Sequence, residues 1–561
     1  MKDTDKMAAD RLPSLMLRMV TALRKQRLAD SGLDGPGADL YLKTAAAAWG
    51  EALADPAKGI ARQTAFWTGS LRAWSEALQG SNSAPEFWTG YLERQHQVSA
   101  DTLRELTEEL AALPERDRRR LGYFSDQLVQ MLAPANYLGT NPDALARALE
   151  TEGQSLLDGF ENLVRDLENG KGAPLVGLVD TTAFAVGENI ATTPGRVVLR
   201  TPMIELIQYA PETPQVHQRP IVIFPPWINK FYILDLRPEN SLVRWLVGQG
   251  HTVFMVSWCN PGPEGAELGL EHYIEDGYLA AISEAARICG TEDVNVLGYC
   301  IGGTVLALAL ALMAKRGDDR VASATFLTTL TDFSDQGNFT PFLQDDFIDA
   351  IGREADRTGM LGASVMARTF SMLRATDLVW KPARRSYLMG EAPPAFDLLY
   401  WNSDATNLPA RMAMQYLRGL CQDNAFSEGR FELFGEHLDL RDVAVPLMAI
   451  AAEGDHIAGW TDCYRGFQRM GSTDKRFVLA EAGHVAGVVN PPRRRKYGHY
   501  SFDPVDLAAS DWRETADFEQ ESWWPLWQAW LAGHGDGMVA AREPEEGLCA
   551  APGDYVRVLA S

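Results

Sequence analysis

The chain has 561 residues, 46% of them hydrophobic and 23% charged, with a formal net charge of −23 at pH 7. That length exceeds what one hydrophobic core usually serves, so two domains are predicted, and the composition is that of a globular protein able to bury a large interior. The negative charge argues against nucleic-acid binding and against attraction to an anionic membrane surface. An anionic substrate would need a local basic patch, and Arg493-Arg494-Arg495-Lys496 is the candidate, beside its plain reading as a solvated surface run. The six cysteines (259, 289, 300, 421, 463 and 549) show no paired or metal-ligand spacing, which fits a reducing cytosol and implies neither metal nor cofactor. Met1 to Met7 lead into an amphipathic segment and not a signal-peptide core, and the longest apolar run, Val305 to Ala314, is far too short to span a bilayer. The expectation is a cytoplasmic protein without a transmembrane segment.

Residues 1–195 read as a helical N-terminal domain. Ala45 to Trp49 and Thr102 to Leu113 carry helical spacing and strong helix formers, and Asn82-Ser83-Ala84-Pro85 and Ala133-Pro134-Ala135-Asn136 punctuate the helices. Trp67, Trp74 and Trp88 recur here, either to pack helices together or to meet a partner or apolar surface. Residues 196–561 read as a second domain of α/β class. A strand pair at Arg196–Leu199 and Ile204–Tyr209 precedes a regular alternation. Strands are predicted at Ile221–Phe224, Thr252–Trp258, Val294–Leu297 and Ala324–Leu330, with helices at Ser241–Gly250, His272–Cys289 and after Gly303. Continuous apolar strands alternating with helices predict a parallel sheet covered on both faces. The alternation lapses over 331–440, an aromatic-rich stretch that, inserted after the strand following the elbow helix, would lie over the nucleophile as a cap. Strands resume at Leu447–Ala451 and Arg476–Leu479. A tail helix with Trp523, Trp524, Trp527 and Trp530 docks on the core, and residues beyond about 535 look less structured.

The chemistry is concentrated at Gly298-Tyr299-Cys300-Ile301-Gly302, between an apolar strand and a helix. This is the Gly-x-nucleophile-x-Gly elbow with Cys in place of Ser, its glycines sparing a turn too tight for side chains. The helix N-terminus behind it favours thiolate over thiol, and the Ile301 N–H points to where an oxyanion forms. A thiol nucleophile needs a base, and the base an orienting carboxylate, delivered by strand-end loops in the order nucleophile, acid, histidine. Asp455, in Glu453-Gly454-Asp455-His456, and His484, in Glu481-Ala482-Gly483-His484, meet that order with Cys300. His456 is a rival base, and Asp332, Asp335 and Glu453 are rival acids. His251 and His272 read as structural, and no cluster suggests a metal site. A second oxyanion donor must come from Phe224-Pro225-Pro226-Trp227-Ile228, where the prolines have no N–H, which leaves Trp227 or Ile228. A cysteine yields a thioester, from which passage of an acyl group to an alcohol is downhill. A dry, aromatic site of this kind favours acyl transfer over hydrolysis.

The chain resembles class I polyhydroxyalkanoate synthases. The likeness runs over about 118–532 and rests on the elbow through Thr304, Pro225 to Leu236, Asn240 to Trp245, Phe396 to Asn402, Asp404 to Pro409, Asp455-His456-Ile457 and Gly483 to Pro492. The Arg-Phe-x-Asp-x-x-Trp-like stretch of that family is not found; residues 80–116 hold Glu86-Phe87-Trp88 and a charged helix instead. The resemblance implies an α/β-hydrolase core after a helical N-terminal domain. It implies polymerisation of (R)-3-hydroxyacyl-CoA, typically 3-hydroxybutyryl-CoA, into a growing polyester chain with release of CoA. The triad carries over to Cys300, Asp455 and His484, and homodimers attached to cytoplasmic granules are implied. Two other readings remain at this point: a thioesterase or polyester hydrolase with the same triad, and a non-catalytic granule-surface protein that kept the fold.

Overall fold

A computed structural model describes residues 3–26, 43–48, 54–169, 176–544 and 547–560, so Met1, Lys2 and Trp49 lie outside the described residues. The chain separates into two compact units. The first comprises Met1–Asp180, Thr340–Ala350 and Ala367–Ala395; the second comprises Thr181–Phe339, Ile351–Met366 and Phe396–Ser561. The stretch 331–440 is therefore shared between them.

The first unit is helical: α1 (Asp3–Gln26), α2 (Pro56–Gln79), α3 (Ala84–Glu109), α4 (Glu115–Met131), α5 (Pro142–Glu150) and α6 (Gln154–Asn169). The punctuation seen in the sequence is capping chemistry. Ser83 accepts from the Glu86 N–H, while the Glu86 carboxylate accepts from the Asn82 N–H at 2.8 Å. Asn141 caps α5 in the same way, its side-chain oxygen 3.0 Å from the Ala144 N–H. Trp74 packs edge-on against Phe87 at 4.7 Å and Tyr91 at 5.1 Å, joining α2 to α3. Trp67, Trp74 and Trp88 all keep a large part of their rings exposed. Within this unit the stretch 367–395 is fastened by polar contacts: Asn162 Nδ2 donates to the Ser386 and Glu391 carbonyls, and the Tyr387 hydroxyl donates to Asp166 at 2.7 Å.

The second unit is built on an eleven-stranded sheet: β1 (Gly195–Arg200), β2 (Ile204–Tyr209), β3 (Ile221–Phe224), β4 (Val253–Trp258), β5 (Val294–Tyr299), β6 (Val321–Leu327), β7 (Leu447–Ala452), β8 (Lys475–Ala480), β9 (His499–Phe502), β10 (Asp517–Glu519) and β11 (Cys549–Ala550). Their order is β10-β9-β8-β7-β6-β5-β3-β4-β2-β1-β11. The sheet is mixed. The six central strands β8 to β4 are parallel, and antiparallel strands extend both edges. The strand after the elbow helix ends at Leu327 and not at 330, because Thr328 turns to φ +41°. Helix α7 (Ile301–Arg316) is buried from Ile301 through Met313, which explains why its apolar run shows no polar face.

The expected helix His272–Cys289 contains a π-helical turn at Tyr273–Leu279. That extra residue brings the Tyr278 hydroxyl to the Gly302 carbonyl at 2.6 Å and its ring to Phe224 at 4.3 Å. The tail helix α8 (Trp524–Gly533) docks as expected, with Trp523, Trp524 and Trp527 fully buried. Trp527 Nε1 donates to Thr325 Oγ1 on β6 at 2.9 Å. The tail beyond 535 departs from the expectation of little structure. Met538–Ala540 pairs with Gln215–His217, and β11 closes the sheet edge. The N–H groups of Asp554 and Tyr555 donate to the buried Glu205 carboxylate at 2.8 and 2.9 Å.

Trp527→Ala removes a large buried ring and strands Thr325 Oγ1. Denaturant unfolding should show a loss of about 3–5 kcal/mol; a loss under about 1 kcal/mol would mean that the tail helix does not brace the sheet.

Candidate active site

Cys300 sits between β5 and α7 at φ +53° and ψ −125°, a backbone region that ordinary side chains avoid. Close packing holds it there. A Cβ on Gly298 would lie 2.4 Å from the Gly303 Cα, and a Cβ on Gly302 would lie 2.5 Å from the carbonyl oxygens of both Phe224 and Pro225. The Cys300 N–H is drawn to the Leu327 carbonyl at 2.8 Å, and its own carbonyl accepts from Gly303 at 2.9 Å to open the helix. Ile301 is the first helical residue, where N–H groups have no intrahelical acceptor.

Asp455 follows β7 and His484 follows β8. His484 Nδ1 donates to Asp455 Oδ2 at 2.6 Å. The other oxygen of Asp455 accepts from the N–H groups of Ile457 and Ala458 at 2.8 and 2.9 Å, which fixes the carboxylate in its loop. Cys300 acts on the same imidazole electrostatically. Burial alone disfavours the imidazolium, but the charge and hydrogen bond of Asp455, with the sulfur of Cys300, outweigh it and raise the His484 pKa well above 6.5. The ring stacks on Tyr299 with centroids 5.7 Å apart. Thiol, imidazole and carboxylate in this sequence can pass a proton from sulfur to nitrogen and stabilise the resulting cation.

The early loop lies directly on the elbow, as the Gly302 contacts require. Trp258 Nε1 holds the Pro225 carbonyl at 2.9 Å. The Trp227 carbonyl accepts from Thr406 Oγ1 at 2.5 Å, and the Ile228 carbonyl from the Thr406 N–H at 3.0 Å. The Trp227 indole is buried against Tyr273 and Tyr416. Tyr416 was not singled out from sequence. Burial first, then Cys421 and Cys300, push its phenol well above 10. It comes from the irregular stretch after 331, where no periodic signal marks it.

The rival residues are engaged elsewhere. Asp332 is buried and bound by Arg469 at 2.6 Å, Ser427 and Asn424. Burial opposes its ionisation, but bonds from Ser334, Arg469 and Ser427 hold its carboxyl at about 2. Asp335 accepts from the Gly337 N–H at 3.2 Å, and Glu453 pairs with Arg513 at 2.9 Å. His251 stacks on His217 at 4.4 Å, and burial, aided by that ring, pushes it down to about 3. His272 Nδ1 accepts from the Gly269 N–H. Among the described residues, the ligand atoms of Glu205, Cys549 and Asp554 converge, and the Arg200 guanidinium contacts all three. A cation is thus already supplied there by the chain itself. No helix among the described residues is long and apolar enough to cross a membrane.

Residues 82–246 match the family model described as the N-terminus of poly-beta-hydroxybutyrate polymerase (PhaC), and residues 198–491 match the alpha/beta hydrolase fold. The chain is 38% identical over 534 residues to a poly(3-hydroxyalkanoate) polymerase of Methylorubrum extorquens, covering 91% of this chain and 88% of that one. It is 36% identical over 532 residues to the poly(3-hydroxyalkanoate) polymerase subunit PhaC of Rhizobium meliloti, covering 91% and 87%. Against the corresponding subunit of Cupriavidus necator it is 40% identical over 482 residues, covering 82% and 80%.

A raised His484 pKa carries a sign. The stabilisation it provides is fully present below the unfolded value near 6.5 and is lost as pH rises through the folded value. An NMR titration of the His484 ring should therefore show a proton retained well above pH 6.5 in the wild type. In Asp455→Asn, burial is no longer offset and the midpoint should fall below that of the wild type. Equal midpoints in the two proteins would mean that Asp455 does not govern the imidazole.

Proposed function

The chain belongs to the poly(3-hydroxyalkanoate) polymerase family of enzymes with an α/β-hydrolase core, and from there we propose that it polymerises (R)-3-hydroxyacyl-CoA, 3-hydroxybutyryl-CoA first among them, through a thioester on Cys300. The observation that carries the reading is the His484–Asp455 hydrogen bond beside a strained cysteine elbow, with Cys300, Asp455 and His484 following the parallel strands β5, β7 and β8 of one sheet. In this scheme His484 takes the thiol proton, and the Cys300 sulfur attacks the thioester carbonyl of the substrate. The tetrahedral oxyanion is held by the N–H groups of Ile301 and Trp227. Collapse expels CoA, whose sulfur takes the proton back from His484, and leaves the acyl group on Cys300.

Chain growth then needs a 3-hydroxyl in place of water. His484, oriented by Asp455, removes the hydroxyl proton as its oxygen attacks a thioester carbonyl, so an ester forms and a thiol is released. Asp455 stabilises the imidazolium at each turn. The aromatic walls of buried Trp227 and Tyr273, with half-buried Tyr416 against them, support water exclusion, which polymer growth requires over hydrolysis. We read residues 1–195 as the helical domain and 196–561 as the catalytic one, with 331–440 as a cap. A homodimer working at the surface of cytoplasmic polyester granules completes the reading.

Purified protein given (R)-3-hydroxybutyryl-CoA should release CoA in step with solvent-extractable polyester. Cys300→Ala should stay folded and lose both by at least about a thousandfold. Release of CoA with only free 3-hydroxybutyrate would make the protein a thioesterase, and activity persisting in Cys300→Ala would remove the proposed nucleophile.

A further inference from the structure

His484 and the cationic run Arg493-Arg494-Arg495-Lys496 belong to one loop, 481–498, between β8 and β9. The loop is closed at its base. The Glu481 N–H donates to the Gly498 carbonyl at 3.0 Å, and the Gly498 N–H donates to the Glu481 carboxylate at 2.7 Å. It is pinned along its length by the tail. Trp523 and Trp524 donate their indole N–H groups to the carbonyls of Gly487 and Val488, and Ser522 Oγ donates to Asn490 at 2.5 Å. A second closure, Asn490 Nδ2 to the Tyr497 carbonyl at 3.0 Å, sets off residues 491–496 as a separate turn. Pro491 and Pro492 enter it, and Arg495 turns the chain at φ +42°.

All four cations on this turn are exposed. Many guanidinium groups elsewhere on the surface are taken by carboxylates, as in Arg219–Asp293, Arg320–Asp318 and Arg441–Asp439. With 75 acidic residues against 52 basic ones, such pairing is the easy outcome. Among the described residues, no ion pair involves Arg493, Arg494, Arg495 or Lys496; Lys496 lies over the ring of Tyr497 at 4.7 Å. Four adjacent uncompensated positive charges therefore stand on a chain of net charge −23. Because salt screens charge over about 8 Å, an anion arriving at the turn meets these cations ahead of the chain's more remote negative charges.

The placement relates this turn to the chemistry. Arg493 follows His484 by nine residues, which limits their separation to about 30 Å even for an extended chain. The loop is folded back by Gly487 N–H to Gly483 and Val489 N–H to Val485 bonds, both 2.8 Å, so the real span is shorter. An acyl-CoA has its anionic groups, a diphosphate and a ribose 3′-phosphate, at the far end of a long flexible arm from its thioester. The same loop that presents His484 to the sulfur presents cations at arm's length from it.

We propose that Arg493, Arg494 and Lys496, with Arg495 shaping the turn, bind the phosphates of the CoA nucleotide. The proposal rests on the acyl-CoA reading above. Guanidinium and ammonium groups suit phosphate oxygens, through forked and single hydrogen bonds respectively.

The test is the triple variant Arg493→Gln, Arg494→Gln, Lys496→Gln, whose replaced side chains are exposed. Its KM for (R)-3-hydroxybutyryl-CoA should rise roughly tenfold with little change in kcat. The difference from wild type should vanish with the N-acetylcysteamine thioester, which has no phosphate. A triple Arg493→Lys, Arg494→Lys, Lys496→Arg variant should restore the KM. An unchanged KM for the CoA thioester, or an equal rise with both thioesters, would overturn the proposal. A second measurement is independent of turnover. In a Cys300→Ala background, calorimetry should show CoA binding more tightly than pantetheine, which carries no phosphate, and the triple variant should cut that difference roughly tenfold. Equal binding of the two ligands overturns the phosphate site even if polymer is made, whereas a protein that makes no polymer but keeps the difference overturns only the polymerase reading.

Discussion

Three missing methyl groups decide where the sulfur stands. Without side chains at Gly298, Gly302 and Gly303, the end of β5, the first turn of α7, the loop after β3 and Thr329 beyond β6 approach closer than a Cβ allows. Cys300 is caught between them in a backbone conformation whose cost is about 1–3 kcal/mol, maintained by packing from several sides. Tyr278 adds a brace from below by holding the Gly302 carbonyl. The approach of the Phe224 and Pro225 carbonyls is the same contact seen from the other partner, so the early loop and the elbow cannot be placed independently. The proposed oxyanion donors inherit their spacing from this fit.

The histidine is positioned by a different kind of force. Its loop is long, and its carbonyls would be costly to bury without donors. Indole N–H groups from Trp523 and Trp524 supply them, while the rings fill the space between loop and sheet. The tail thus combines apolar burial with specific hydrogen bonding, and a segment distant in sequence stabilises the loop that meets Cys300. Asp455 needs less help, since two N–H groups of its own turn hold one oxygen and leave the other to His484.

Much of this was legible in sequence because it is repetitive. Strand, polar cluster, helix recurs with apolar residues that have no other use, and Cys300, Asp455 and His484 stand at the ends of such strands. What was not legible lies where one residue changes the register or where the partner is far away. Tyr416 sits in a stretch with π-helical geometry and no simple period, so nothing marked it before its ring was seen beside Trp227. The ordered tail beyond 535 gives almost no apolar pattern, since its anchors are backbone N–H groups meeting the buried carboxylate of Glu205. The antiparallel edge strands β10 and β11, three and two residues long, fall below the length at which alternation can be recognised. The division of 331–440 between two units was hidden for a related reason: helices such as Asp345–Thr358 look alike in sequence whichever neighbours they join.

The π-helical turn at Tyr273–Leu279 has a further consequence. An α-helix advances about 100° per residue, so one residue too many rotates everything on one side of it by that angle relative to the other. The insertion therefore works as a phase shifter. It sets where the Tyr278 hydroxyl stands relative to the elbow, and a single-residue deletion that made the helix regular would point that hydroxyl about a quarter turn away from Gly302.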